Sequence, residues 1–159
     1  MSEFNNTDKP IGFASDHAGF TAKNYIIKVI EDMGLKYKDF GTYSEESTDY
    51  ADYAHPLALA VESGECRFGI AICGTGNGIN MTMNKHQGIR AALCWNPEVT
   101  FYARAHNDAN ILSLPGRFLT NEELYEILKV FITTSFEGGR HEKRINKIPC
   151  IWLITDSVQ

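Results

Sequence analysis

Cys73-Gly74-Thr75-Gly76-Asn77-Gly78 follows directly on the apolar run Phe68-Gly69-Ile70-Ala71-Ile72. A glycine-rich turn that opens a helix points backbone N–H groups outward, and those groups hold an anion. The anion is either a phosphate or an oxyanion that forms during a reaction. A cysteine at the start of the same turn gains thiolate character from the same dipoles and becomes a base or a nucleophile. The residues alone leave a plainer reading open, a tight turn with a buried, inert cysteine. Nucleotide chemistry is disfavoured. Gly74, Gly76 and Gly78 give G-x-G-x-G, which misses the dinucleotide spacing, the turn follows the third strand rather than the first, and no P-loop is present.

Other reactive side chains are scattered. Asp16-His17 ends the first apolar segment, where a ligand cleft would open. His106 closes a helix, and a histidine there complements the helix dipole without any chemical role. His55 and His86 read as surface or helix-end residues. Arg140 and Arg144 stand four apart on one helical face beside Gly138-Gly139, a spacing suited to bidentate phosphate binding. Their competing reading is a solvated basic face paired with Glu137 and Glu142. Cys66, Cys94 and Cys150 read as small core or boundary residues, and no C-x-x-C or Cys/His zinc pattern occurs.

These residues need a frame. The chain has 159 residues, 43% hydrophobic and 22% charged, with a net charge of −5. That fits one soluble domain, residues 1–159, and carries no basic footprint for nucleic acid. No apolar run approaches the ~20 residues needed to span a bilayer. MSEFNNTDKP lacks the apolar core of a signal peptide and reads as a polar lead-in, so the expected location is the cytoplasm, with thiols reduced.

Strands and helices alternate along the chain. The patterns predict strands at 11–14, 37–40, 68–72, 89–94 and 111–114. Helices are predicted at about 20–33, 53–63, 79–85, 97–106, 120–134 and 141–148. Gly34 and Gly64 are stop signals, Asn96-Pro97-Glu98 is a helix start, and Thr120 with Glu123 is a capping box. Such alternation implies a parallel sheet covered by helices on both faces, a three-layer Rossmann-like α/β/α sandwich. The strand ends then bring Asp16-His17, Asp49-Tyr50, Cys73 to Gly78 and Arg117 to one rim. The apolar tail segment Ile151-Trp152-Leu153-Ile154 packs on a partner or on its own domain; the sequence does not choose.

With these residues assembled, the chain resembles the ribose-5-phosphate isomerase B family, which groups with the galactose-6-phosphate isomerases of lactose-operon type. The resemblance spans roughly residues 10 to 148. Its motifs, in order, are Ser-Asp-His-Ala-Gly (15–19), Thr-Asp-Tyr (48–50), Ile-Cys-Gly-Thr-Gly-Asn-Gly-Ile (72–79), Asn-Lys (84–85), Gly-Ile-Arg-Ala (88–91), His-Asn-Asp-Ala-Asn (106–110) and Glu-Gly-Gly-Arg-His (137–141). The resemblance implies a five-stranded parallel sheet, interconversion of aldose and ketose phosphates with no metal or organic cofactor, and a dimer or tetramer with sites built between subunits. It implies that Cys73 moves the proton between C1 and C2 and that His106 opens the furanose ring. Asp16 and His17 would contact the sugar and ring oxygen, and Gly74, Thr75, Gly76, Asn77 and Gly78 would hold the enediolate. Asn107, Arg117, Arg140 and Arg144 would make the remaining contacts, the arginines mainly to phosphate.

Some relatives use a glutamate in this loop region as the base. Here Asn77, Asn80 and Thr82 leave Cys73 without an acidic rival. Asn77 stands where the family pattern has a small apolar residue, and the tail after Pro149 lies outside the matched core. The expected substrate is ribose 5-phosphate. The alternatives are a six-carbon sugar phosphate such as allose or galactose 6-phosphate, a non-catalytic sugar-phosphate sensor, and a cysteine hydrolase with a Cys73–His106 dyad. The flanking sequence matches no hydrolase elbow.

Overall fold

A computed structural model describes residues 8–150 of the chain. Residues 1–7, most of the polar lead-in, and the apolar tail segment Ile151-Trp152-Leu153-Ile154 lie outside the described residues. In chain order the elements are β1 (Ile11–Ser15), α1 (Phe20–Asp32), β2 (Tyr37–Asp39), α2 (Tyr50–Glu62), β3 (Phe68–Cys73) and α3 (Asn77–Met83). They continue with β4 (Ala91–Leu93), α4 (Pro97–Ala105), β5 (Ile111–Pro115), α5 (Asn121–Thr133) and α6 (Arg140–Ile145). The five strands pair in parallel in the order β2-β1-β3-β5-β4. The chain builds outward from β1 to β2, then returns to place β3 on the other side of β1. That reversal makes β1/β3 the switch point, where successive crossovers leave for opposite faces and a crevice opens beyond the strand ends.

Two apolar layers fill the faces. On one, Phe13, Ile70, Ile72 and Leu112 meet Ile26 and Ile30 of α1 and Ile127, Leu128 and Phe131 of α5. On the other, Ala14, Ala71, Cys73 and Ile111 meet Leu57 and Ala58 of α2 and Ile79 and Met83 of α3. The central strands β1, β3 and β5 are buried along their whole length. Their unbroken apolar runs follow from being covered on both sides.

Local chemistry sets the helix ends. Asn96 accepts the Val99 N–H at 2.8 Å with Pro97 at the first helical position. Thr120 and Glu123 close a reciprocal capping box. Several bounds differ from those predicted. α2 starts one turn early, at Tyr50, which moves Pro56 from the predicted first turns toward the middle of the helix. α3 starts at Asn77, immediately after the glycine turn. α6 runs from Arg140 to Ile145 and stops short of the predicted 148. β4 shortens to three residues, and at its predicted start side chains and a turn claim the backbone. Arg90 donates its N–H to Asn110 Oδ1 and its Nε to the Asn107 and Asp108 carbonyls, while the Ile89 N–H belongs to a turn closed on the His86 carbonyl.

Candidate active site

Four segments meet over the β1/β3 crevice and line a cleft of about 220 Å3: Asp16, His17 and Ala18 after β1, Tyr50 at the start of α2, Cys73, Gly74, Thr75 and Gly78 after β3, and Arg117 after β5. Cys73 is the last residue of β3, and only 4% of it reaches solvent. Behind it the thiol packs into the α2/α3 layer. In front of it the chain turns sharply. Gly76 has φ 75°, and a Cβ there would stand 2.5 Å from Leu93 Cδ1, so the turn is closed to other residues. Among the described residues no protein acceptor takes the N–H groups of Gly74, Thr75 or Gly76. Of these, Gly74 and Thr75 line the cleft, so the turn has backbone donors there that the protein itself does not use.

The remaining walls are fixed by hydrogen bonds. Asp16 is buried, and its Oδ1 accepts the Gly19 N–H at 3.0 Å, capping the short 3-10 turn His17–Gly19. The Thr48 N–H donates to His17 Nδ1 at 3.2 Å. The same nitrogen lies 3.3 Å from the Thr48 carbonyl, so the Thr48 backbone anchors the ring at Nδ1, and Nε2 has no protein hydrogen-bond partner among the described residues. Arg117 is tied to the glycine turn by its own N–H, which reaches the Gly74 carbonyl at 3.1 Å, while Gly116 N–H reaches the Cys73 carbonyl at 2.9 Å. A Cβ built on Gly74 would lie 3.3 Å from Arg117 Nη1, so the guanidinium lies across the turn beside the thiol. On the opposite side the Tyr50 ring rests on Gly78, where a Cβ would meet Tyr50 Cζ at 2.5 Å.

His106 lies elsewhere. It caps the C-terminal end of α4, which runs back from the carboxyl end of β4 to the amino end of β5. Asn110, four residues on, accepts the Gly69 N–H with its carbonyl at the beginning of β3. The imidazole thus sits at the amino end of the sheet and the thiol at its carboxyl end, separated along the strands by the six residues of β3, about 20 Å. The Glu137 N–H donates to the Ala105 carbonyl at 2.9 Å and brings the segment before α6 to the same end. There the rings of His106 and His141 stack, centroids 4.1 Å apart and planes 11° apart. Glu137 Oε2 stands 3.6 Å from the Nε2 of each. Burial pushes the His141 imidazole below the ordinary histidine value; His106, Arg140 and Arg144 add to that shift and Glu137 opposes it.

His106, Glu137 and His141 place three ligand atoms within 4.8 Å, the one such group among the described residues. Metal-binding lone pairs lie in the imidazole plane, however, and in two stacked rings they run side by side rather than converge on one ion. The arrangement suits proton handling better than chelation. Arg140 and Arg144 are exposed and, with Arg117, enter none of the ion pairs among the described residues. The competing pairing with Glu137 is not formed, since that carboxylate faces the imidazoles.

The predicted residues therefore fall into two groups. Asp16, His17, Cys73, Gly74, Thr75, Gly78 and Arg117 gather in the cleft, with Gly76 shaping the turn. His106 and Asn107 lie at the other end of the sheet, and Arg140 and Arg144 follow Glu137 there. Asn77 is exposed and does not line the cleft; its N–H turns back to Thr75 Oγ1 at 3.3 Å. Sequence reasoning placed Tyr50 at the rim without a task, read Glu137 only as a partner of the arginines, and gave no role to Thr48 or His141. All four sit inside motifs already quoted, Thr-Asp-Tyr and Glu-Gly-Gly-Arg-His, and their polar or aromatic character beside glycine and histidine was the available signal.

A thiol and a cradle of backbone donors over the switch point of a parallel sheet define a doubly wound α/β protein built to hold a small polar ligand. The chain belongs to the ribose/galactose isomerase family, whose model matches residues 11–148, nearly the span the motifs indicated. It is 42% identical over 143 residues to ribose-5-phosphate isomerase B of Escherichia coli K12, covering 90% of this chain and 96% of that one. A crystal structure of a ribose 5-phosphate isomerase from Thermotoga maritima superposes with a TM-score of 0.88 at 47% identity, covering 90% of this chain and 99% of the other. Ribose-5-phosphate isomerase B from Mycoplasma genitalium, solved with bound ribulose-5-phosphate, superposes with a TM-score of 0.86 at 36% identity, covering 97% and 100%.

Proposed function

We propose that this protein is an aldose–ketose isomerase that interconverts ribose 5-phosphate and ribulose 5-phosphate. The observation that carries the reading is the buried Cys73 thiol beside backbone donors that no acceptor among the described residues takes, in a chain whose relatives are ribose-5-phosphate isomerases and include one with ribulose-5-phosphate bound. Cys73, as thiolate, takes the proton from C2 of the open-chain aldose. The electron pair moves onto the carbonyl oxygen and leaves a cis-enediolate, whose charge the N–H groups of the Gly74 to Gly78 turn stabilise. The Cys73 thiol returns the proton to C1, the O2 proton passes to O1, and the ketose results. Asp16 and His17 hold the sugar and its ring oxygen, and Arg117 lies in reach of the same ligand.

The cyclic sugar must open first, and that step falls to His106, with Asn107 as a sugar contact and Arg140 and Arg144 on the phosphate. Since the imidazole and the thiol occupy opposite ends of the sheet, we infer a homo-oligomer in which the His106 end of one copy completes the Cys73 cleft of another. The reading further takes residues 1–159 as one working domain, the reaction as independent of metal and organic cofactor, and the setting as pentose phosphate metabolism in the cytoplasm. No helix among the described residues is long and apolar enough to cross a membrane. The test is formation of ribulose 5-phosphate from ribose 5-phosphate with EDTA present and Cys73→Ser alongside. Metal-independent turnover that vanishes in the variant upholds the proposal. An inactive wild type, with six-carbon sugar phosphates turned over instead, would replace the substrate.

A further inference from the structure

We propose that Glu137 is the positioning residue of His106: its carboxylate, set between two stacked imidazoles, orients the His106 ring and steadies the proton that this ring moves during ring opening. The inference rests on the isomerase reading above, in which His106 opens the furanose.

The backbone builds the arrangement deliberately. The Glu137 N–H is bonded to the carbonyl of Ala105, the residue preceding His106, so the two side chains leave the chain from adjoining points. Gly138 and Gly139 then adopt φ 67° and 56° and turn α6 back, which lays His141 over His106. His141 is buried, and its Nε2 has no hydrogen-bond partner. The carboxylate oxygen at 3.6 Å is the charge that faces it. Burial disfavours a charge on this imidazole, so the Glu137 carboxylate, equally far from both rings, is better matched to a proton on the more exposed His106. The His106 side chain is 30% exposed and remains open to a ligand or to a second copy. The other groups facing the pair are the Arg140 and Arg144 guanidinia, which oppose a proton there, and the Tyr102 ring, 4.9 Å from His106. At 3.6 Å the Glu137–His106 contact is longer than a hydrogen bond, and catalytic contacts of this kind often tighten in the substrate complex. The Glu137 side chain is half exposed and packs into no core, so its loss should leave the fold intact.

The experiment is steady-state kinetics in both directions on wild type, Glu137→Gln, Glu137→Asp, His106→Asn and the double variant Glu137→Gln/His106→Asn. Ribose 5-phosphate is cyclic and needs opening; ribulose 5-phosphate is acyclic and does not. Glu137→Gln is expected to lower kcat on ribose 5-phosphate about tenfold, a fraction of the 10²–10⁴ that general acid–base catalysis supplies, while KM and turnover of ribulose 5-phosphate stay within about twofold. The pH–rate profile for ribose 5-phosphate should change in Glu137→Gln and be restored in Glu137→Asp. On His106→Asn, the glutamine change should add nothing. Equal losses in both directions, or losses that add to those of His106→Asn, would overturn the proposal while leaving the isomerase reading in place. If His106→Asn itself slows both directions alike, the ring-opening role is wrong and this inference falls with it.

Discussion

Cys73 owes its position to its neighbours. Ile70 and Ile72 anchor β3 in one layer and Ala71 in the other, and the thiol then emerges where the ladder ends. Replacing its sulfur by oxygen keeps the shape and removes an acidic group, so Cys73→Ser should lose isomerisation by at least ~10²-fold while inhibitor binding by calorimetry changes little. His106→Asn should slow cyclic substrate far more than acyclic substrate in the same assay. Gly78 supports a different prediction. Any Cβ there collides with Tyr50, so Gly78→Ala should displace the ring and reduce kcat/KM, and Gly78→Ala/Tyr50→Ala should recover part of the loss. At this scale the sequence was most informative where glycine and a reactive residue adjoin, because only a turn or a close approach calls for glycine there. It put Tyr50 at the rim but could not show its ring against Gly78, and it was blind to His141, which distant segments lay over His106.

The connecting elements explain what holds those residues. Lys23 on α1 is wholly buried, and its Nζ bonds both Asp39 oxygens at 2.6 Å and the Thr42 carbonyl at 2.7 Å. Asp39 Oδ1 also accepts the Gly41 N–H at 2.9 Å. This ionic knot fixes the start of the loop that goes on to Thr48, whose backbone holds the His17 ring. Lys23→Met leaves Asp39 and the Thr42 carbonyl without their cation and should cost about 3 kcal/mol in urea unfolding. A change of that size in stability without any effect on ribose 5-phosphate KM would separate the knot from the site. The knot was not legible in the sequence, since a lysine on an amphipathic helix reads as solvated. The helix starts of α4 and α5 were legible, because caps are local and each needs only four residues. The limits of β4 were not, because Arg90 and Asn110 meet across twenty residues of chain.

For the molecule as a whole, alternation of strands and helices predicted the parallel sheet, but not its order, which depends on where each crossover lands. The common direction of the strands, rather than their order, sets the thiol and the imidazole at opposite ends, since Cys73 closes a strand and His106 closes a crossover helix. Mixed oligomers test that. Cys73→Ser and His106→Asn, each inactive on cyclic substrate, should together regain about a quarter of wild-type activity in a randomly exchanged dimer, one intact site in each mixed pair; a site within one chain would regain nothing. Burial also leaves a signature in the pH dependence of stability. Cys94 is fully buried, and its thiol is pushed up to about 11. Its folded value lies above the unfolded one, so the stabilisation is complete below pH ~9 and is lost as pH rises toward 11. Tm should fall across that window in wild type and less in Cys94→Ala.

The two-ended arrangement of thiol and imidazole has a consequence for rate laws. If neither chain carries a whole site, velocity is not simply proportional to the amount of protein present. Below the concentration at which copies part, specific activity should decline with dilution, and added Cys73→Ser chains should raise it again by lending their intact histidines. In a cell holding little of this protein, activity would rise more steeply than in proportion to the molecules made, until most copies are paired.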